Sequence, residues 1–133
     1  MTYKVIINNT KHTFPIKGLN ELLAGRMYNF RTKKYQNAVK TKNDEVCRMA
    51  IQKYLKGIKF DKQIQCTYWI YAKDKLHDRG NLYSVDKSFL DALQQTGKIP
   101  NDGWKECADS IFHTEVDKLN PRIEVIIEEV EGE

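Results

Sequence analysis

The chain has 133 residues and a net charge of +4, which fits the usual size of one domain. Its hydrophobic fraction of 41% is ordinary for a globular protein, and no apolar run reaches the roughly 18 residues of a membrane-spanning helix. No stretch resembles a signal peptide, and the three cysteines include no CxxC pair. We therefore expect a cytoplasmic protein with reduced, mostly buried thiols, without a zinc site or a membrane partner.

The first third of the sequence predicts two strands followed by a long basic connection. Residues 2–8 contain three consecutive β-branched side chains, and residues 11–16 are expected to return as a second strand. Between residues 22 and 43 lie six basic side chains, no acidic one and several aromatic rings. This pattern suggests a face that meets phosphates, although a solvated loop explains the charge equally well. The basic residues are Arg26, Arg31, Lys33, Lys34, Lys40 and Lys42.

The rest of the chain predicts two helices and three strands. The first helix begins between Lys34 and Asn43 and ends near Gly57, with Cys47, Ile51, Tyr54 and Leu55 on its apolar face. Residues 63–71 alternate as a strand, with Ile64, Cys66, Tyr68 and Ile70 on its core face and a half-covered face opposite. Residues 84–95 form the second helix, with Gly97 as its stop and Val85, Phe89, Ala92 and Leu93 as its apolar stripe. Residues 108–116 and 122–130 are further strands. This order predicts one α+β domain over residues 1–133, a single mixed sheet covered by two main helices.

Four aspartates and one lysine gather around the second predicted helix, in a segment that reads as loop, helix and loop. Carboxylates on both loops of such a short helix can converge at one edge of the sheet, and Mg²⁺ prefers oxygen ligands of this kind. In a net basic chain, the pattern suggests a metal site facing a polyanion, and so phosphodiester chemistry on nucleic acid. The five residues are Asp78, Asp86, Lys87, Asp91 and Asp102.

Each of these acids also has an ordinary structural explanation. Asp86 falls in the first turn of the predicted helix, where a carboxylate stabilises the helix dipole. Asp91 follows Lys87 by four residues, the spacing of a surface ion pair. Asp78 and Asp102 lie in sequences typical of turns. The residues alone leave both readings open.

The same segment resembles the RusA family of Holliday-junction resolvases, small enzymes common in bacteria and their phages. That family's motif is an acid, a second acid two residues on, an Asn, a Lys, a D-A-L helix, a Gly and an acidic pair in a loop. The opening around Pro15 and Asn20 and the closing residues 121–125 also resemble the family, so the resemblance covers nearly the whole chain. The matching residues of the motif are Asp78-Arg79-Gly80-Asn81, Lys87, Asp91-Ala92-Leu93, Gly97 and Asn101-Asp102.

This chain departs from the family pattern in three ways. Gly80 occupies the place of the second acid, and Asn101 occupies the place of the first member of the acidic pair. Three extra residues precede Lys87. Asp86 lies in that inserted stretch and near the edge of the apolar stripe, from which it can turn inward. It is the candidate replacement for the missing acid.

The resemblance implies a homodimer that binds branched DNA and cuts a four-way junction by paired symmetric nicks. The implied cofactor is Mg²⁺, or Mn²⁺ in its place. The implied catalytic residues are Asp78, Lys87 and Asp102. The implied metal ligands are Asp78 and Asp102, with Asp86 or Asp91 as a further ligand. The DNA backbone would be held by Arg26, Arg31, Lys33, Lys34 and Arg79, and Tyr28 or Phe30 would stack on bases.

Two alternatives to this function stay open. One is a family member that binds branched DNA but cuts it weakly or not at all; the other is a metal-dependent nuclease acting on flaps or forks.

Overall fold

The computed structural model describes residues 1–8, 34–72 and 85–130, with the backbone alone for Asn8 and for residues 34–42. Within these ranges lie two helices and four strands. In chain order they are β1 (Thr2–Asn8), α1 (Lys34–Tyr54), β2 (Ile64–Ala72), α2 (Val85–Gln95), β3 (Ile111–Val116) and β4 (Arg122–Glu129). The strand predicted at residues 11–16 falls outside the described residues.

The four strands form one mixed sheet in the order β1-β4-β2-β3. β4 pairs antiparallel with both β1 and β2, whereas β2 and β3 run parallel. The connection between the two parallel strands contains α2, as a parallel pair requires. The prediction of an α+β fold with a single mixed sheet and two helices is confirmed.

The buried core follows the periodicities of the sequence. Along β2 and β4 every second side chain is buried, because successive side chains of a strand point to opposite faces of the sheet. The stripe of α2 is fully buried, and its members are Val85, Phe89, Ala92 and Leu93. Cys47, Ile51 and Leu55 are fully buried as well, while Tyr54 is only half-buried. The two helices also contact each other, and α1 contacts β1.

Gly97 ends α2 in the way that the sequence predicts. Its φ of 75° lies in the left-handed region that glycine adopts without strain. The N–H groups of Gly97 and Lys98 donate to the carbonyls of Gln94 and Leu93, which is the Schellman arrangement. Lys98 then accepts a hydrogen bond from the N–H of Phe60, 2.9 Å away. The chain that leaves the helix is thereby fixed to the segment that precedes β2.

β3 begins three residues later than predicted, at Ile111 rather than Ala108. Before it, backbone pairing with β2 is reduced to an isolated bridge between Ile64 and Cys107, and the next residues are held by side chains. Gln65 donates from Nε2 to the carbonyl of Asp109 at 3.1 Å, and the hydroxyl of Ser110 donates to Asp86.

Among the described residues, no helix is both long and apolar enough to cross a membrane.

Candidate functional site

The described part of the site consists of the first turns of α2 and the loop that follows the helix. Lys87 on the helix places its Nζ 3.3 Å from Oδ1 of Asp91 and 3.8 Å from Oδ2 of Asp102. The lysine side chain is 67% exposed, and the two carboxylates are 18% and 29% exposed. Such long, solvated ion pairs contribute little stability. Their importance is positional, since one ammonium group lies between a carboxylate of the helix and a carboxylate of the loop.

Asp86 makes a different set of contacts. Its Oδ1 accepts a hydrogen bond from the hydroxyl of Tyr68 at 2.6 Å and another from the hydroxyl of Ser110 at 2.7 Å. Hydrogen bonds to an ionised carboxylate are short and strong, as these are. Tyr68 is fully buried in β2, and Ser110 directly precedes β3. The first turn of α2 is therefore tied to two neighbouring strands through one carboxylate oxygen.

The loop that carries Asp102 is held by its own backbone and by β2. The N–H of Asp102 donates to Oδ1 of Asn101 at 2.9 Å. The carbonyl of Gly103 accepts hydrogen bonds from the N–H groups of Glu106 and Cys107, at 3.2 and 2.9 Å. The side chain of Asn101 thus binds the backbone of the residue that carries the carboxylate.

Two thiols lie among these carboxylates. Burial raises the pKa of the Cys66 thiol well above its usual range, and the negative charge of Asp86 raises it further. Burial, followed by the charges of Asp102 and Asp86, raises the pKa of Cys107 to about 11. Both groups are therefore neutral thiols near pH 7. The charges of both Asp86 and Asp102 raise the pKa of Cys107, so both carboxylates lie close enough to this thiol to affect it.

The reactivity of Cys107 gives an expected result that does not depend on enzymatic activity. Alkylation requires the thiolate, so the raised pKa should make Cys107 react slowly at pH 8. Asp102→Asn removes one of the charges that raise this pKa, and it should accelerate alkylation of Cys107. Peptide mass spectrometry after timed exposure to iodoacetamide measures the rate. Asp109→Asn, an exposed aspartate nearby, is the control that should leave the rate unchanged. Equal rates in wild type and Asp102→Asn would contradict the electrostatic contact.

The structure divides the predicted acids into two groups. Lys87, Asp91 and Asp102 come together, as described above. Asp86 lies about 140° from Asp91 around a helix of 3.6 residues per turn, on the side that faces the sheet. No group of three or more His, Cys, Asp or Glu side chains within residues 1–8, 43–72 and 85–130 is arranged to hold a metal ion.

The remaining predicted site residues lie outside the described residues, or outside the described side chains in the case of Lys34. These are Asp78, Arg79, Arg26, Arg31, Lys33, Lys34, Tyr28 and Phe30.

Sequence reasoning missed Tyr68 and Ser110 as parts of the site. Tyr68 was predicted to face the core, between Cys66 and Ile70, and it does. A signal was available, because a buried tyrosine hydroxyl usually requires a hydrogen-bond partner. Nothing in the local sequence distinguishes Ser110 from any other loop serine.

Neither a family model nor a curated protein matches the sequence.

Proposed function

We propose that this protein is a Mg²⁺-dependent endodeoxyribonuclease that resolves four-way DNA junctions, with Mn²⁺ able to replace Mg²⁺. Each subunit of a homodimer would make one of two symmetric nicks, since a two-fold dimer suits the near-symmetry of the junction. The proposal rests first on the motif between Asp78 and Asp102, which resembles the RusA family.

The structural observation that supports this proposal is the position of Lys87 between Asp91 and Asp102. The resemblance implies that Lys87 and Asp102 belong to one active site, with Asp91 or Asp86 as a further metal ligand. Lys87 and Asp91 are neighbours because of helix spacing alone. Asp102 belongs to a separate loop, and nothing in the spacing of the sequence requires it to approach Lys87. Yet its carboxylate lies 3.8 Å from the ammonium group. The fold thus brings together two parts of the motif that the sequence separates by 15 residues.

The chemistry of these side chains fits Mg²⁺, although the described residues do not complete a site. Asp91 and Asp102 already share a cation, the Lys87 ammonium group, and carboxylate oxygens are the ligands that Mg²⁺ prefers. The hydrogen bonds from Tyr68 and Ser110 both go to Oδ1 of Asp86, so Oδ2 is the oxygen that we assign to the metal ion. We assign the remaining protein ligand to Asp78.

The chain's own groups would then act as follows. A bound Mg²⁺ ion would supply charge neutralisation at the scissile phosphate and a more acidic water molecule. Lys87 is exposed and only loosely paired, so its ammonium group can donate to a phosphate oxygen and stabilise the charge that develops there. Asp91 and Asp102 would keep this ammonium group in place. The basic residues between Arg26 and Lys34, with Arg79, would hold the DNA backbone with little sequence information.

Two other functions are consistent with the same site. The absence of family acids at Gly80 and Asn101 favours a protein that binds branched DNA without cutting it efficiently. A metal-dependent nuclease for flaps or forks would use the same groups on another substrate. Incubating the protein with labelled four-way junction, flap and duplex across a Mg²⁺ titration separates the three functions. We expect paired nicks in the junction. A gel shift without any nick would support the binding protein, and preferred cutting of the flap would support the third function.

The basic segment gives a second expected result. Exchanging Lys33 and Lys34 together for Gln should weaken junction affinity, because the variant neutralises fewer phosphates and therefore releases fewer counterions. The slope of log K against log salt should flatten by about 0.9 for each phosphate that is no longer neutralised. Fluorescence anisotropy at several salt concentrations measures it. Lys59 and Lys62, exposed before β2, form a matched control pair whose exchange should leave the slope unchanged. An unaltered slope in the Lys33 and Lys34 variant would show that this segment faces solvent.

A further inference from the structure

Trp104 is unusually exposed for so large an apolar side chain. It leaves 94% of its surface in contact with solvent, although a packed indole buries roughly 150–250 Å². Its exposed neighbours in sequence are polar or small, namely Pro100, Asn101 and Lys105. Among the described residues, these sequence neighbours add no large apolar side chain to the ring, and a protein interface requires a contiguous apolar patch. The surface around Trp104 therefore suits a flat partner that covers one ring.

The backbone beneath this indole is fixed. The carbonyl of Trp104 accepts a hydrogen bond from Nε2 of Gln63 at 2.8 Å, which ties it to the start of β2. The neighbouring Gly103 carbonyl accepts two N–H groups from the turn that follows. An aromatic ring on a fixed backbone loses less conformational freedom when it binds a ligand.

Trp104 also lies beside the proposed active site. It is two residues from Asp102 on the same hydrogen-bonded turn, and Asp102 in turn approaches Lys87. Trp104 therefore belongs to the same short turn as the carboxylate that approaches Lys87. Lys105, also exposed, adds a positive charge next to the ring.

We propose that Trp104 stacks on the exposed face of a base at the branch point, beside the scissile phosphate, and thereby distinguishes branched DNA from duplex. This inference rests on the proposed nuclease function and adds the element that selects the substrate. Every base has a ring face, so stacking tolerates any sequence. In a continuous duplex each base is covered on both faces by its neighbours, whereas a base pair at an opened branch point has one face that an external ring can cover.

The test compares the affinities of Trp104 variants for a four-way junction and for a duplex of the same sequence and length. Ca²⁺ replaces Mg²⁺ so that the substrate stays intact during the measurement. Trp104→Ala should weaken junction binding by about 5- to 150-fold, the equivalent of losing one stacked base, and should leave duplex binding unchanged. Trp104→Phe should retain most of the affinity. Leu119→Ala is the matched control, because Leu119 is 98% exposed in the turn before β4, and it should behave as wild type.

Fluorescence gives a direct measure of stacking. The only other tryptophan, Trp69, stacks on His113 within the sheet at 4.2 Å between ring centroids. In a Trp69→Phe background, the remaining indole should be quenched by the junction and not by the duplex. Thermal unfolding of Trp104→Ala should match wild type, because the removed side chain is exposed.

The possible outcomes separate this inference from the proposed function. Wild-type protein that binds neither junction, flap nor fork would overturn both. Wild-type protein that binds and cuts the junction, combined with unchanged affinity in Trp104→Ala, would overturn only the role of Trp104. An equal loss on junction and duplex would also overturn it, as would conversion of a wild-type dimer to a monomer by Trp104→Ala in sedimentation.

Discussion

Asp102→Asn is expected to abolish Mg²⁺-dependent cleavage of a four-way junction while junction binding stays close to wild type. The substitution keeps the shape of the side chain and removes its charge. The proposed metal ion supplies several kcal/mol of charge stabilisation, and 1.36 kcal/mol corresponds to a tenfold change in rate, so the loss should be on the order of a thousandfold. Single-turnover cleavage and gel shift, measured on the same preparation, report the two quantities.

The contacts of Asp102 indicate that this substitution should affect activity without unfolding the protein. Its carboxylate makes an ion pair of 3.8 Å with an exposed lysine, so removing the charge should cost little stability. Loss of activity would therefore not reflect unfolding. Asp109→Asn is the matched control, since that aspartate is exposed in the same segment and uses only its carbonyl in a described hydrogen bond. Asp78→Asn should reproduce the effect of Asp102→Asn. Full cleavage by Asp102→Asn would remove this residue from the site.

The fold was predictable where the sequence has a strong period. The alternation of Ile64, Cys66, Tyr68 and Ile70 placed β2 and its buried face, because only one side of a half-covered strand can be apolar. Gly97 similarly placed the end of α2. The strand order was not predictable, because β1 and β4 come from opposite ends of the chain. Periodicity identifies a buried face but carries no information about which strand lies next to it.

In the candidate site, too, local contacts could be predicted from the sequence and contacts between distant segments could not. Lys87 and Asp91 were predicted to pair, because helix geometry brings residues four apart together. The approach of Asp102 depends on how the loop after Gly97 is attached to the rest of the fold, and the spacing of the sequence does not encode that. The helical wheel placed Asp86 near the buried stripe, but its partners belong to a strand and a loop distant in sequence. Side-chain networks of this kind are fixed by tertiary packing.

Asp86→Ala is expected to lower the free energy of unfolding by about 2–3 kcal/mol, because it leaves the fully buried hydroxyl of Tyr68 without its acceptor. Asp86→Asn keeps an oxygen acceptor and should cost about 1 kcal/mol or less. In the Tyr68→Phe background the hydroxyl is already absent, so Asp86→Ala should cost much less there. Urea unfolding of these four variants and wild type gives a coupling energy, expected at about 1–2 kcal/mol. A coupling near zero would contradict the hydrogen bond between Tyr68 and Asp86.

The Mg²⁺ dependence of cleavage by Asp86 variants then distinguishes a structural role of Asp86 from a metal-binding role. If Asp86 is the ligand that replaces the acid missing at Gly80, Asp86→Asn should raise the Mg²⁺ concentration for half-maximal cleavage by about tenfold, or 1.4 kcal/mol. Tyr68→Phe is the matched control. It weakens the same hydrogen-bond network but leaves the negative charge in place, so its metal dependence should change far less. Adding Gly80→Asp to Asp86→Asn should restore cleavage at low Mg²⁺. Wild-type metal dependence in Asp86→Asn would reduce Asp86 to a link between α2, β2 and the start of β3, and the missing oxygen would then have to come from Asp91, Asn81 or water.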